Sequence, residues 1–394
     1  MKRLFIILAV LAPVAAAAQT VFPAERLEAA VRACRAGDAR AVEAVAALRD
    51  AAAEYLAMEP VSVADKEILP PSGDRRDYMT LSPYWWPDPS REDGLPYIRR
   101  DGERNPEVYD YPERVNSGRL GDAARVLSLL YAATGEERYA AKCAELLRVW
   151  FLDPERGMNP NMTYAQLIPG RTTVRGTGII DSRRFCRAFS AAALLRGSES
   201  WSERDDLALR RWAAEFLRWL ETSENGRKEC LSSNNHGLWY DAIRLMTAAC
   251  AGDTEHVREI AAESLAPRLD SQIADDGSLP EELARTLSLH YSTFALEAVA
   301  TADCLAADTG CSIWRYRTSD GRSLEQAVEY LVPYYTAPET WPHRQIKPFD
   351  RSRGARILYS AGRALGRDDW VRLAREIGCR PESASAETLL FFDF

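Results

Sequence analysis

A chain of 394 residues, 46% of them hydrophobic, has the material for a large core, which excludes a disordered protein. Its formal charge of −8 lacks the basic footprint of a nucleic-acid binder, so any anionic partner must be met by arginines gathered locally against the overall field. After the first twenty residues no stretch approaches the ~18 apolar residues that a membrane span needs.

Taken in chain order, Lys2 and Arg3 followed by an apolar Leu4 to Val14 and small Ala15 to Ala18 have the layout of a secretory signal peptide, with cleavage expected near Ala18 and Gln19. Residues 1–18 are therefore read as a leader. Residues 19–394 are read as one mature domain, periplasmic or extracellular, with no membrane anchor left. Cys34 lies too far along to carry a lipid. Apolar residues three and four apart then predict helices over Ala24 to Ala36, Ala39 to Met58, Leu120 to Ala133 and Glu136 to Phe151. Further helices are predicted over Ser182 to Leu195, Glu203 to Thr222, Gly237 to Ala251, Glu255 to Leu265, Leu289 to Thr309, Ser323 to Tyr334, Gly354 to Gly366 and Asp368 to Ile377. Long alternating strands and a fixed-period repeat are both missing. About a dozen helices joined by short turns point to an all-α fold, an incomplete α/α toroid of helical hairpins, in preference to a solenoid.

Two long segments interrupt the helices, Val61 to Asn116 and Gly157 to Asp181, both rich in proline or glycine. Loops of this length in a compact domain tend to be functional. The first contains SGDRRDYMTLSPYWWPDPSREDGLPYIRRDGERNPE, where Arg76, Tyr78 and neighbouring aromatics suit the apolar faces and polar rims of sugar rings. The second contains MNPNMTYAQLIPGRTTVRGTGIIDS. There Asn161, Tyr164, Gln166, Arg171 and Arg175 can cradle a carboxylate-bearing sugar. Downstream, SSNNHGLWYD opens a helix, where Asn234 or Asn235 can serve as a cap. Free N–H groups at such a helix start also favour an anion beside His236. PEELARTLSLHYSTFAL brings Arg285, His290 and Tyr291 together, and a cation near a phenol favours its ionised form. His343 and Arg344 in TWPHRQIKPF can line the same cleft. Four histidines without HExxH spacing imply no metal, and no cofactor is implied. Eight cysteines without CxxC spacing read equally as buried apolar residues or as disulfide partners, with Cys304 and Cys311 able to close a small loop.

Five of these motifs in this order (DYMTLSPYWWPDP, GLPYIRRDGERNPE, MNPNMTYAQ with RGTGIIDS, SSNNHG and ELARTLSLHY) resemble the alginate lyase superfamily, most closely its polymannuronate and glucuronan branch. The resemblance implies an α/α toroid and cleavage of a β-1,4-linked uronic-acid polymer by syn β-elimination, with an anionic polysaccharide as partner. By position it places the catalytic pattern on Asn235, His236, Arg285 and Tyr291. Asn235 and His236, helped by Gln166 or Arg285, would neutralise the C5 carboxylate. Tyr291 would take the C5 proton and return it to the leaving O4. In mannuronate and glucuronate both groups lie on one face, so one phenol can serve. In guluronate they lie on opposite faces, and His236 would be the base. The rival readings are a glycoside hydrolase using Asp181, Glu281 or Glu282 and a non-catalytic glycan-binding protein. Oligomeric state is not legible in the residues.

Overall fold

The computed structural model describes residues 20–22, 24–171, 174–378 and 386. The leader expected over 1–18 and Cys379 lie outside them. Helical periodicity produces α1 (Ala24–Ala36), α2 (Ala39–Ala57), α3 (Glu113–Thr134), α4 (Glu137–Leu147), α5 (Phe185–Leu194), α6 (Glu203–Thr222), α7 (Glu224–Cys230) and α8 (Asn235–Ala251). These are followed by α9 (Thr254–Glu259), α10 (Ala266–Gln272), α11 (Pro280–Leu283), α12 (Ser288–Ala306), α13 (Leu324–Thr336), α14 (Arg353–Leu365) and α15 (Asp368–Ile377). No helix among the described residues is long and apolar enough to cross a membrane.

Helices α3, α5, α8, α12 and α14 pack side by side as an inner row, each backed by an outer partner such as α4, α6, α9, α13 or α15. This is an α/α toroid, incomplete because α14 has no extended interface with α3. The aromatic rings of Phe151, Phe185, Phe189, Trp212 and Phe216 fill the space between α4, α5 and α6, with Phe151 and Trp212 centred 4.9 Å apart. Burying each such ring stabilises the fold by ~1.5–3 kcal/mol. The chain stops α3 at Gly135, which takes the left-handed conformation and returns its N–H to the Tyr131 carbonyl.

Three departures from the expected helices have physical causes. α3 begins at Glu113, seven residues earlier than its apolar pattern suggests, because its first turns bury polar groups. Glu113 meets Lys66 at 2.5 Å and Arg114 meets Asp181 at 2.6 Å, so no apolar stripe marks them. The helix through α9 runs on past Pro267 to Gln272 because the turn before it, Ile260–Leu265, widens to a π-helix. A wide turn tolerates the N–H that proline lacks. α7 and α11 are short and polar, so they have no periodicity to read.

The two long loops meet in short strands. β1 (Met79–Leu81) runs parallel to β4 (Tyr164–Leu167), while β2 (Trp85–Trp86) pairs antiparallel with β3 (Ile98–Arg99). The loops are thereby fixed over one end of the inner row. The seven described cysteines are free thiols, including Cys304 and Cys311. Burial pushes the Cys143, Cys186 and Cys250 thiols up to about 12, so they act as small apolar residues.

Candidate active site

The inner helices α3, α8, α12 and α14, with the 3-10 turn Thr177–Arg184 that leads into α5, present their first turns to one central cleft of about 1050 Å³. Helix N-termini carry partial positive charge and unsatisfied N–H groups, so their convergence favours an anion. Side chains reinforce this. Among the described residues, eleven arginines and four carboxylates line the cleft, in a chain whose net charge is −8. Arginine offers planar paired donors that match a carboxylate.

At the start of α8, Asn234 caps the helix by accepting from the His236 N–H at 3.0 Å. Arg268 ties down the preceding turn, donating to the Cys230 and Ser232 carbonyls and to Asp241. Two buried acids then orient the next two side chains. Glu229 accepts from His236 Nδ1 at 2.6 Å, which leaves Nε2 as the nitrogen without a described partner. Glu282 accepts from both the backbone N–H of Asn235 and its Nδ2, the latter at 2.8 Å. Burial pushes the Glu282 carboxyl up, against those two hydrogen bonds. In this rotamer the Asn235 amide NH2 is engaged, and its Oδ1 is buried without a partner.

Across the cleft, the Arg285 guanidinium lies over the Tyr291 ring, 3.7 Å from its centre. Asp101 holds that arginine through Nε (3.1 Å) and Nη2 (2.7 Å), and also accepts from the Thr286 N–H and hydroxyl. The Tyr291 hydroxyl meets the Tyr84 hydroxyl at 3.0 Å. The sequence suggested that the cation would favour phenolate. Instead, burial and the Tyr84 hydroxyl push the phenol well above its ordinary value and outweigh Arg285. At rest Tyr291 is therefore a proton donor. Beside it, burial together with Arg353, Arg183 and Arg285 pulls His290 down to about 3. Its Nδ1 faces Arg353 at 2.6 Å, so the ring is neutral with Nδ1 accepting.

The alginate lyase family profile matches residues 62–341, most of the chain. A solved alginate lyase from Bacteroides ovatus is 35% identical, with a TM-score of 0.90 over 95% of this chain and 99% of that one. The chain belongs to the alginate lyase family. Alginate lyase A1-III from Sphingomonas species A1 shares the fold at 17% identity, with a TM-score of 0.59 over 95% of each chain. Its histidine-to-alanine variant, complexed with a tetrasaccharide, superposes with a TM-score of 0.62 at 18% identity over 97% of each chain. No match was found among curated protein sequences. The protein is thus a polysaccharide lyase.

Within the lyase cleft the fold brings together Asn234, Asn235, His236, Arg285, His290 and Tyr291 with Gln166 and Arg175. Other residues expected there have different work. Tyr78 is fully buried beneath Asp181, Arg76 binds the Gly157 carbonyl at 2.7 Å, and Asn161 binds Asp77 at 3.0 Å. The last two stitch one long loop to the other. Tyr164 pairs with Met79 in the β1–β4 ladder. Arg171 stacks on the Trp85 ring, which also carries Arg175. His343 bonds the Tyr330 hydroxyl at 2.9 Å, and the Arg344 carbonyl accepts from Ser288 at the start of α12. None of these seven lines the cleft.

The acids nominated for hydrolysis do not form a pair. Glu281 is exposed outside the cleft, Glu282 is engaged with Asn235, and Asp181 is buried among donors. Residues not singled out as site residues from sequence include Tyr84, Asp101, Glu229 and Arg183. Arg183 lies over the Phe294 ring at 5.2 Å on the cleft floor. Tyr84 and Asp101 sat inside the quoted loop motifs, but nothing local marked which residue they would meet.

Proposed function

We propose that this cleft binds a β-1,4-linked uronic-acid polymer, polymannuronate and/or glucuronan, and cleaves it by β-elimination. The observation that carries the reading is that Tyr291 and His236 line one cleft whose described charged lining is mostly arginine. The relatives described as alginate lyases, one of them complexed with a tetrasaccharide, support it.

Removing the C5 proton puts charge on a centre next to a carboxylate, so that carboxylate must first be neutralised. Arg285 retains Nη1 for this purpose after engaging Asp101. The C5–H bond then breaks toward a base, its electron pair forms C4=C5, and the C4–O4 bond breaks as O4 takes a proton. Tyr291, protonated at rest, is the donor to O4. His236, with Nδ1 turned to Glu229, offers Nε2 as the base. The sequence assigned both protons to Tyr291; in this proposal one of them goes to His236, whose Nδ1 is engaged by Glu229. C5–H and O4 share a face in mannuronate and glucuronate, so groups on adjacent helices α8 and α12 can reach both. A single-phenol mechanism is the second reading, favoured by the guanidinium stacked on the Tyr291 ring.

Ultraviolet absorbance of the unsaturated uronate, followed on polymannuronate, glucuronan and polyguluronate, tests the activity. Tyr291→Phe should abolish the signal. Added imidazole should restore part of the rate of His236→Ala if His236 is the base. No restoration, with Tyr291→Phe inactive, assigns both protons to Tyr291. Reducing ends without absorbance would refute elimination. A polymer too large to enter a cell agrees with the leader expected over residues 1–18 and with action in the periplasm or outside.

A further inference from the structure

Among the described non-glycine residues, Gln166 alone has a left-handed backbone, with φ at 54°. It stands where the β1–β4 register slips, between the pairs Met79 with Tyr164 and Leu81 with Leu167, so β4 carries one extra residue. A bulge of this kind re-aims a side chain, and a strained backbone persists only where its surroundings hold it. The opposing wall is close: a Cβ on Gly178 would overlap the Ala165 carbonyl.

Gln166 is held at both ends by one buried carboxylate. Its backbone N–H donates to Thr80 Oγ1 at 2.9 Å, and that hydroxyl donates to Asp181 Oδ2 at 3.0 Å. Its Nε2 donates directly to Asp181 Oδ1 at 3.0 Å. Arg114 donates to the same oxygen at 2.6 Å. Burial opposes the charge on Asp181, but Arg114 and Arg184 outweigh it and hold the carboxyl below its ordinary value. An ionised carboxylate only accepts, so the amide atom facing it is the NH2 group. The carbonyl Oε1 is therefore turned from Asp181 and has no described donor, on a residue that lines the cleft. A free carbonyl repels a substrate carboxylate, contrary to the neutralising role expected of Gln166, and suits a hydroxyl.

We propose that Gln166 is a specificity residue whose Oε1 accepts a hydrogen bond from a ring hydroxyl of the bound uronate, and that Asp181 is the positioning residue that fixes the amide this way round. The proposal rests on reading the cleft as a uronate site. Mannuronate and glucuronate differ only in the configuration of a ring hydroxyl, at C2, so an acceptor of this kind is where a preference between them can be set.

The test compares kcat/KM on polymannuronate and glucuronan for wild type, Gln166→Leu, Gln166→Gly and Asp181→Asn, each with its thermal midpoint. Gln166→Leu should lose about tenfold to a hundredfold in kcat/KM, unequally between the polymers. Gln166→Gly, relieved of backbone strain, should melt no lower than wild type while losing activity in the same way. Asp181→Asn supplies an amide that can donate to Oε1, so the Gln166 amide can turn, and the ratio between polymers should shift as in Gln166→Leu. If wild type is active but Gln166→Leu and Gln166→Gly keep its kcat/KM and polymer ratio, the inference is overturned and the lyase reading stands. The same holds if Asp181→Asn lowers only the midpoint. Wild type inactive on all three uronate polymers overturns the reading and the inference together.

Discussion

Replacing Asp101 by alanine should weaken both the fold and the chemistry, because this one carboxylate holds Arg285 over the Tyr291 ring. Its carboxylate accepts five hydrogen bonds, two from Arg285, two from Thr286 and one from Arg99, and the paired Asp101 and Arg285 side chains are only 18% and 14% exposed. Removing one partner of a buried pair costs ~3–5 kcal/mol, and partial exposure places this pair at the lower end, about 3 kcal/mol. Asp101→Asn keeps an oxygen for Thr286 and should cost about 1–2 kcal/mol. Burial opposes the charge of Asp101, but Arg285 and Thr286 outweigh it and hold the carboxyl far below its ordinary value. Its stabilisation is thus fully present above the unfolded carboxyl pKa of ~3.9 and is lost as pH falls below it. In catalysis an untethered guanidinium no longer sits 3.7 Å from the ring centre, and kcat/KM should fall by about tenfold or more. Urea unfolding at pH 7 and initial rates by ultraviolet absorbance measure both effects. An Asp101→Ala variant with the wild-type midpoint and the wild-type kcat/KM would refute the reasoning.

Glu229→Gln should leave the fold intact but lower kcat about tenfold, since a neutral amide holds the His236 ring without supporting charge on it; steady-state rates on polymannuronate decide this, and an unchanged kcat rejects it. Lys66→Met should cost ~3–5 kcal/mol by stranding Glu113, both side chains being 1% exposed, and Lys66→Met with Glu113→Leu should recover most of it in denaturant titrations. His290 is held down to about 3 by burial and its arginine neighbours, so the unfolded chain binds more protons between about pH 3 and its unfolded value of ~6.5. Stability should therefore fall as pH drops through that window, and less so in His290→Gln; equal urea midpoints at pH 7 and pH 4 in wild type would contradict this.

The residues alone determined the hairpin architecture, because helical periodicity, turn glycines and proline breaks act over a few positions. They also carried the motifs that place Asn235, His236 and Tyr291 in the first turns of two helices, with Arg285 in the turn before the second, and the toroid brings those helices together. The company each of these keeps was decided only by tertiary structure. Arg285 meets Asp101 across 184 positions and Tyr291 meets Tyr84 across 207, separations at which no spacing rule operates. Charge balance needed the fold for the same reason: a nearby cation can be guessed from ELARTLSLHY, but the burial that overrides it cannot. Tyr78, Asn161 and Arg76 were of the right type for a sugar, yet the long loops needed them for their own hydrogen bonds. Gln166, expected from its loop motif to meet the sugar, lines the cleft. The direction of its amide depended on a buried carboxylate fifteen residues away and on a bulge that exists only when β4 lies against β1.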